Sequence, residues 1–224
     1  MCNSALFIHH TGQGKTRAMI ASVEQCRESY AVEQVHVITK KIISGYIKDE
    51  ILAYVQSVTS LDHAKINSFY KFSTYQTFNS DYGEYDSETL KTKLNKSIIV
   101  IDEFHIVYSY IYKNQTAGET RSLYETLVLI RNIFPNMLFI AMTATPMLNS
   151  AFEIEYLSRV LITQKKLENY TNNCSKDCEN FENMVEIYDN PCQNLILKSY
   201  TDAILNESLI LYKEPVIASQ KFIG

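Results

Sequence analysis

A short glycine-containing segment near the N-terminus places the first limit on the fold. It follows the apolar run Ala5–Ile8 and contains Gly14-Lys15-Thr16, the second half of the phosphate-binding pattern G-x-x-x-x-G-K-[ST]. Glycine lets consecutive backbone N–H groups wrap phosphate oxygens, and a helix that begins at Thr16 directs its positive end at the same phosphates. A strand, a phosphate loop and a helix in this order predict the first unit of an α/β nucleotide-binding fold.

Each residue type in this loop has a separate predicted task. The Lys15 ammonium is expected to contact the β- and γ-phosphates, and the Thr16 hydroxyl is expected to bind Mg²⁺. The predicted nucleotide-binding residues are Thr11, Gly12, Gln13, Gly14, Lys15, Thr16 and Arg17. His9 stands where the pattern has its first glycine, so a chance Gly-Lys-Thr at a strand–helix turn is the competing interpretation. The position between a strand and an amphipathic helix favours the phosphate loop.

Strand-like and helix-like patterns alternate through the first 165 residues. The predicted strands are Ala5–Ile8, Val35–Ile38, Ser97–Ile101 and Met137–Met142. The predicted helices are Thr16–Tyr30, Lys48–Ser57 and Arg121–Phe134. This alternation predicts an α/β fold with a mostly parallel sheet and helices on both faces. The polar segment Asp81–Lys96 is predicted to be a surface excursion.

The predicted strand Ser97–Ile101 ends in two carboxylates, Asp102 and Glu103. In open α/β folds, ligands bind at the carboxyl ends of the strands. Asp102 is the predicted Mg²⁺ ligand, because this ion prefers hard oxygen donors. The predicted catalytic residues are Glu103, which orients and deprotonates the attacking water, and Lys15 of the phosphate loop. The competing interpretation is that an Asp-Glu pair merely ends a strand at a solvated turn.

A third strand runs into small hydroxyl residues, with Phe139–Met142 followed by Thr143-Ala144-Thr145-Pro146. The two threonines could hydrogen-bond to the Asp-Glu end and sense the γ-phosphate. Taken alone, this segment could also be an ordinary exit from a strand into a turn. Its place after the other two motifs favours the first interpretation.

Composition excludes several classes of protein. No apolar run approaches the ~18 residues that a membrane-spanning helix needs, so we predict no membrane partner. An odd number of cysteines, five, predicts a reducing, cytosolic compartment. Residues 1–165 are balanced in charge, which gives no support to a broad basic footprint for nucleic acid. Cys174, Cys178 and Cys192 match zinc-site spacings only loosely and lack a fourth ligand.

Taken in order, Gly14-Lys15-Thr16, Asp102-Glu103-x-His105 and Thr143-Ala144-Thr145 resemble motifs I, II and III of superfamily 2 helicases and nucleic-acid-stimulated ATPases. The segment 6–16, with His9 in place of glycine, resembles the branch of poxvirus-type nucleoside triphosphate phosphohydrolase I and the early transcription factor small subunit. Related ATPases occur in virus-like linear plasmids of yeast. The resemblance implies a RecA-like P-loop NTPase domain over residues 1–165 that hydrolyses ATP with Mg²⁺.

The same resemblance implies roles beyond the phosphate site. His105 would couple the nucleotide to Thr143 and Thr145, and a nucleic-acid groove would be lined by Lys40, Lys41 and Thr74. The implied partners are nucleic acid, with DNA favoured over RNA and RNA left open, and the transcription machinery with its RNA polymerase. The implied location is the cytoplasm, in a viral or virus-like element, or the virion.

The resemblance stops near residue 165. Members of the family bind ATP between two RecA-like domains, and the second supplies an arginine finger, yet Arg159 is the last arginine of this chain. Residues 166–224 are acidic and predicted to be partly helical, with a loop at Asn169–Asn180. We expect them to form an extension or the start of a linker to a second domain or partner chain. Hydrolysis by this chain alone should then be slow.

Two other functions remain open from the residues. One is a truncated, non-catalytic, nucleotide-gated binding subunit that needs a partner domain. The other is a P-loop kinase or a different NTPase, which the combination of motifs II and III disfavours.

Overall fold

A computed structural model describes residues 3–9, 14–58, 63–108, 121–144, 153–178 and 191–213. Its strands form one sheet in the order β3-β2-β4-β5-β1-β6, and every neighbouring pair is parallel. The strands are β1 (Ser4–His9), β2 (Gln34–Thr39), β3 (Tyr70–Thr74), β4 (Ser97–Ile101), β5 (Phe139–Thr143) and β6 (Leu209–Lys213). The predicted parallel sheet is confirmed.

Helices cover both faces of the sheet, as predicted. Their bounds are α1 (Lys15–Tyr30), α2 (Lys41–Val58), α3 (His63–Phe69), α4 (Tyr75–Tyr82), α5 (Ser87–Lys93), α6 (Leu123–Ile133), α7 (Glu153–Leu161), α8 (Gln164–Cys178) and α9 (Pro191–Glu207). Helices α1 to α3 contribute to one buried apolar cluster, and α4 to α9 contribute to the other. None of the described helices is long and apolar enough to cross a membrane.

The two central strands, β4 and β5, are buried on both faces, which explains why apolar residues do not alternate with polar ones in their sequences. All five residues of β4 are buried, as are all five of β5. Ile98 and Val100 pack into the cluster of α1 to α3, while Ile99 and Ile101 pack into the opposite cluster. A parallel strand covered on both faces needs an apolar side chain at every position, and this requirement made β4 and β5 recognisable.

Three sequence predictions about secondary structure outside the motifs differ from the structure. The segment Asp81–Lys96 is not a bare surface excursion, because it contains α5, whose Leu90 is fully buried, and Leu94 is buried just after that helix. The predicted loop Asn169–Asn180 is helical up to Cys178, the last described residue of α8. The helix predicted at Lys48–Ser57 begins earlier, at Lys41. Strands β3 and β6 were not predicted at all.

The described part of the segment after residue 165 joins the same sheet. Strand β6 pairs with β1, from Ala5 opposite Leu209 to His9 opposite Lys213. Tyr200 and Ala203 of α9 pack in the apolar cluster that also contains residues of β4 and β5. The described part of the predicted extension is therefore built onto the domain that carries the motifs. The side chains of the three cysteines considered for zinc lie outside the described residues.

His36 lies in the core of the domain, away from the motifs. It is 2% exposed, and its ring meets Phe78 and Tyr82 edge-on at centroid distances of 6.1 and 5.6 Å. Its Nε2 has no hydrogen-bond partner among the described residues. Burial, together with the nearby Lys71 ammonium, lowers the pKa of His36 to about 4.

This buried histidine predicts a specific loss of stability in acid. The pKa of a histidine in an unfolded chain is about 6.5. Below that pH the unfolded chain therefore binds a proton at His36 that the folded chain does not bind. The contribution of His36 to the free energy of unfolding is complete above pH ~6.5 and is lost as the pH falls to about 4. Between pH 7 and 5 the free energy of unfolding should drop by about 2 kcal/mol on its account. Urea unfolding of wild type and His36→Phe at both pH values measures this, and equal pH dependence in the two would contradict it.

Candidate active site

The carboxyl ends of four neighbouring strands bring the three motifs together. Strand β5 lies between β1, which leads to the phosphate loop, and β4, which ends at Asp102, and β2 lies on the far side of β4. Ile8 is opposite Thr143, and Ile38 is opposite Ile101. Because all of these strands are parallel, the residues that follow them gather at one edge of the sheet, where ligands bind in such folds.

The phosphate end of the site is built on the start of α1. Gly14 is the N-cap, with φ 79° and ψ 30°, and no side-chain hydrogen bond caps the helix. A Cβ on Gly14 would meet nothing within 4 Å, so the requirement for glycine here is its left-handed backbone. The N–H groups of the first turn are thus left for an anion at the positive end of the helix. Residues 10–13, with the predicted ligands Thr11, Gly12 and Gln13, lie outside the described residues.

Lys15 and Glu103 form an ion pair across the site. The Lys15 Nζ atom lies 2.7 Å from Glu103 Oε1, and the side chains are 11% and 19% exposed. The predicted phosphate contact and the predicted base therefore lie side by side. A γ-phosphate held at Lys15 would have the Glu103 carboxylate next to it, within reach of a water molecule aligned for attack.

Asp102 is more deeply buried than Glu103. It is 6% exposed, and its Oδ2 accepts a hydrogen bond of 3.0 Å from the Thr39 hydroxyl at the end of β2. Burial and the neighbouring Glu103 carboxylate raise the pKa of Asp102, while the bond from Thr39 and the Lys15 charge lower it. A bound cation would favour the ionised form of this carboxylate, as a metal ligand requires.

The turn after β4 gives Glu103 an uncommon backbone. Glu103 has φ 50°, in the left-handed region that a residue other than glycine rarely adopts. The Asp102 N–H donates to Ile38 O at 2.9 Å, and the Phe104 N–H donates to Met142 O at 2.8 Å. The turn is thus tied to β2 on one side and to β5 on the other.

His105 connects the turn to β5, as the predicted coupling role requires. Its Nδ1 lies 3.4 Å from Glu103 Oε2 and 3.3 Å from Thr143 Oγ1. Burial lowers the pKa of His105, and the Lys40 and Lys15 charges lower it further against the opposing effect of Glu103. The lowered pKa favours the neutral imidazole at pH 7, and its Nδ1 lies within hydrogen-bonding distance of the Thr143 hydroxyl and in contact with the Glu103 carboxylate.

The donors present fit a magnesium ion. The Asp102 carboxylate and the Thr16 hydroxyl are hard oxygen donors, and each directly adjoins one member of the Lys15–Glu103 ion pair in the chain. Among the described residues, no group of three or more His, Cys, Asp or Glu side chains could form a metal cage by itself. Mg²⁺ suits such a site, because it is usually bound by one or two protein oxygens together with phosphates and water.

The other predicted residues lie in different situations. Arg17 is mostly exposed, with its Nε 3.5 Å from Glu50 Oε1 of α2. Lys40 is exposed and close enough to lower the pKa of His105. Thr74 is the N-cap of α4, where its Oγ1 accepts the Thr77 N–H at 3.1 Å. The Lys41 side chain and all of Thr145 lie outside the described residues.

Two contacts to the acidic turn were missed by the sequence analysis. Thr39 donates to Asp102, and the Tyr75 hydroxyl donates to the backbone carbonyl oxygen of Asp102. Thr39 comes directly before Lys40, so the end of the predicted second strand was a usable signal. Tyr75 could not be placed, because β3, the strand that delivers it, was not predicted.

The fold and the site together define a class. A parallel sheet in which one strand separates the phosphate-loop strand from the Asp-Glu strand, with helices on both faces, is a RecA-like P-loop NTPase domain. Residues 2–148 match the family described as type III restriction enzyme, res subunit. The chain belongs to this family, and the predicted resemblance to superfamily 2 ATPases is confirmed.

Viral proteins are among its relatives. The chain is 24% identical over 160 residues to nucleoside triphosphatase I of Choristoneura fumiferana entomopoxvirus, covering 71% of this chain and 24% of the relative. The chain is 25% identical over 160 residues to nucleoside triphosphatase I of Amsacta moorei entomopoxvirus, and this match covers 71% of this chain and 24% of the relative. The chain thus spans about a quarter of the length of these relatives. A hypothetical ATP-dependent RNA helicase from Sulfolobus tokodaii aligns at a TM-score of 0.48 and 12% identity, over 94% of this chain and 73% of that one.

Proposed function

We propose that the chain is the ATP-binding domain of a nucleic-acid-dependent ATPase that hydrolyses ATP with Mg²⁺ and couples hydrolysis to movement along DNA or to transcription. The observation that carries the proposal is the continuous line of side chains from Lys15 through Glu103 and His105 to Thr143. This line joins a phosphate contact, a base and a hydroxyl sensor, which is the set of groups that coupled hydrolysis requires. The nucleoside triphosphatase relatives support the reaction class.

The reaction follows from the positions of these groups. Lys15 and the start of α1 hold the phosphates, and the Glu103 carboxylate takes a proton from a water molecule in line with the γ-phosphorus. The oxygen of that water bonds to phosphorus as the bond from the γ-phosphorus to the bridging oxygen breaks, giving ADP and phosphate. Asp102 and Thr16 would hold Mg²⁺, which when bound would supply positive charge to neutralise the charge that develops on the phosphates. His105 and Thr143 then sense the loss of the γ-phosphate.

Nucleic acid is the proposed activator, with DNA preferred to RNA. The predicted groove residues lie at the ends of two strands, since Lys40 and Lys41 follow β2 and Thr74 is the last residue of β3. Thr39 and Tyr75, which hydrogen-bond to the acidic turn, directly adjoin Lys40 and Thr74 in the chain. Contacts from lysine and hydroxyl groups to phosphates position a strand without reading its sequence. The viral relatives support a viral or virus-like setting. The cytoplasm as the location and transcription machinery as a partner complete the proposal, and they come from the resemblance of the motifs.

A second RecA-like domain or partner chain is proposed to bring an arginine to the γ-phosphate. The described arginines are engaged elsewhere; Arg159, for example, pairs with Glu155 at 2.8 Å and donates to the Tyr200 hydroxyl. The alternative function, a non-catalytic nucleotide-gated subunit, is favoured by the same observation. In P-loop enzymes an arginine finger accelerates turnover by about 10³ to 10⁵.

Phosphate release from Mg²⁺ and ATP, measured with no nucleic acid, with single-stranded DNA and with single-stranded RNA, tests the proposal. We expect slow turnover that DNA raises more than RNA does, and that Lys15→Ala abolishes. If the chain bound nucleotide but its turnover did not exceed that of Lys15→Ala, the proposed ATPase activity would be wrong and the non-catalytic binding subunit would be favoured. Equal stimulation by DNA and RNA would remove the preference for DNA while leaving the ATPase.

A further inference from the structure

The left-handed Glu103 needs support from its surroundings. A residue other than glycine at φ 50° stays there only when neighbouring structure holds it, and such residues concentrate at functional sites. Two of the supports are backbone hydrogen bonds, from the Asp102 N–H to β2 and from the Phe104 N–H to β5. These two bonds could form with almost any side chains in the turn. They fix the two ends of the turn and leave the peptide plane between Asp102 and Glu103 to be held by something else.

A side chain from a third element holds that peptide plane. The Tyr75 hydroxyl donates to the carbonyl oxygen of Asp102 and lies 3.4 Å from the carbonyl oxygen of Glu103. The carbonyl of Asp102 belongs to the peptide unit from which the φ angle of Glu103 is measured, so holding it restrains that angle. Tyr75 is itself 3% exposed, in the apolar cluster with Phe78 and Phe104. Packing therefore holds the ring of Tyr75 in place independently of the hydrogen bond that its hydroxyl makes.

We propose that Tyr75 is a positioning residue for Glu103, which aims the carboxylate at the attacking water by holding the Asp102–Glu103 peptide in its left-handed turn. The inference rests on the proposed function of Glu103. Because Tyr75 is the first residue of α4 and directly follows Thr74, it also joins the predicted nucleic-acid groove to the catalytic carboxylate. This link is separate from the one through His105 and Thr143.

The variant Tyr75→Phe tests this role, since it removes one hydroxyl and keeps the buried ring. We expect kcat for ATP to fall about 10- to 100-fold, as misplacement of a reacting group does, while KM for ATP does not rise. The matched control is Tyr70→Phe. Tyr70 is also 3% exposed, and its hydroxyl donates to Glu24 Oε1 at 2.7 Å, remote from the acidic turn. This control also loses one buried hydrogen bond of a tyrosine hydroxyl, here to a carboxylate, and should keep kcat.

Hydrogen exchange provides a readout that needs no turnover. In Tyr75→Phe the Asp102 and Phe104 amides should exchange about tenfold faster than in Tyr70→Phe, because the turn opens locally. Equal kcat in the two variants, or equal exchange at these amides, overturns the proposal. A wild type without turnover overturns the proposed function, and with it the catalytic part of this inference. The exchange rates then still decide whether Tyr75 holds the turn.

Discussion

Replacing Glu103 with glutamine is expected to lower ATP turnover by about two to four orders of magnitude while nucleotide affinity is kept or increased. The amide has nearly the shape of the carboxylate but cannot accept a proton from water. It also ends the ion pair in which Lys15 Nζ lies 2.7 Å from Glu103 Oε1. Without that competitor, and without a negative charge beside the γ-phosphate, the ammonium of Lys15 is freer to bind ATP.

Phosphate release and the Kd of a fluorescent ATP analogue, measured on the same samples, separate these two effects. Glu155→Gln is the matched control, because Glu155 is also partly buried and pairs with Arg159 at 2.8 Å on α7, away from the site. That variant should keep both turnover and affinity. Unchanged turnover in Glu103→Gln would show that another group activates the water and would favour the non-catalytic subunit.

Replacing Lys15 with alanine is expected to produce the largest loss of binding. The variant removes a largely buried cation from the phosphate site, and truncating one partner of such a charge pair costs about 2 to 5 kcal/mol, which is roughly thirtyfold or more in Kd. It also leaves the Glu103 carboxylate beside the γ-phosphate without a neutralising charge. Both consequences oppose ATP binding, so turnover should be lost as well.

Titration calorimetry with Mg²⁺ and a non-hydrolysable ATP analogue measures this loss directly. Lys91→Ala is the control for removal of a lysine from an ion pair, because Lys91 pairs with Glu88 at 2.8 Å on an exposed face of α5. Such a surface pair contributes little, and affinity should not change. If Lys15→Ala bound the analogue as tightly as Lys91→Ala, Lys15 would not be the phosphate contact.

The sequence predicts those parts of the site whose residues form contiguous motifs and lie at the ends of buried strands. Strands β4 and β5 contain the uninterrupted apolar runs Ile98–Ile101 and Phe139–Met142 because both faces are covered, and Asp102 and Thr143 follow from where those runs stop. By contrast, β3 has one buried residue among five and lies at an edge of the described sheet, so its sequence, with Lys71 and Ser73, carries no such run. The contact of Tyr75 with Asp102 depends on the position of that strand and therefore could not be foreseen.

The error at α8 has a different physical cause. Its sequence is rich in asparagine and has a low intrinsic preference for helix, which predicts a loop. The described contacts of its first turns are tertiary: Leu167 is buried in the core, and the Lys166 ammonium and Tyr170 hydroxyl both reach Glu207 at the end of α9. Packing against a neighbouring helix stabilised a segment whose local propensity was poor.

The position of β1 in the sheet also has a consequence for how the chain folds. Strand β1 is the first in the sequence, yet Ser4 pairs with Phe139 and Ala5 pairs with Leu209, whereas β2, β3 and β4 pair among themselves within a much shorter stretch. During synthesis, one half of the sheet can therefore form while the apolar strand that leads to the phosphate loop still lacks both neighbours. Pairings of such long range close late and slowly. Lys15 and Glu103 are thus brought together only after β5 has emerged and inserted between their strands, so a nascent chain shorter than that cannot bind nucleotide at this site.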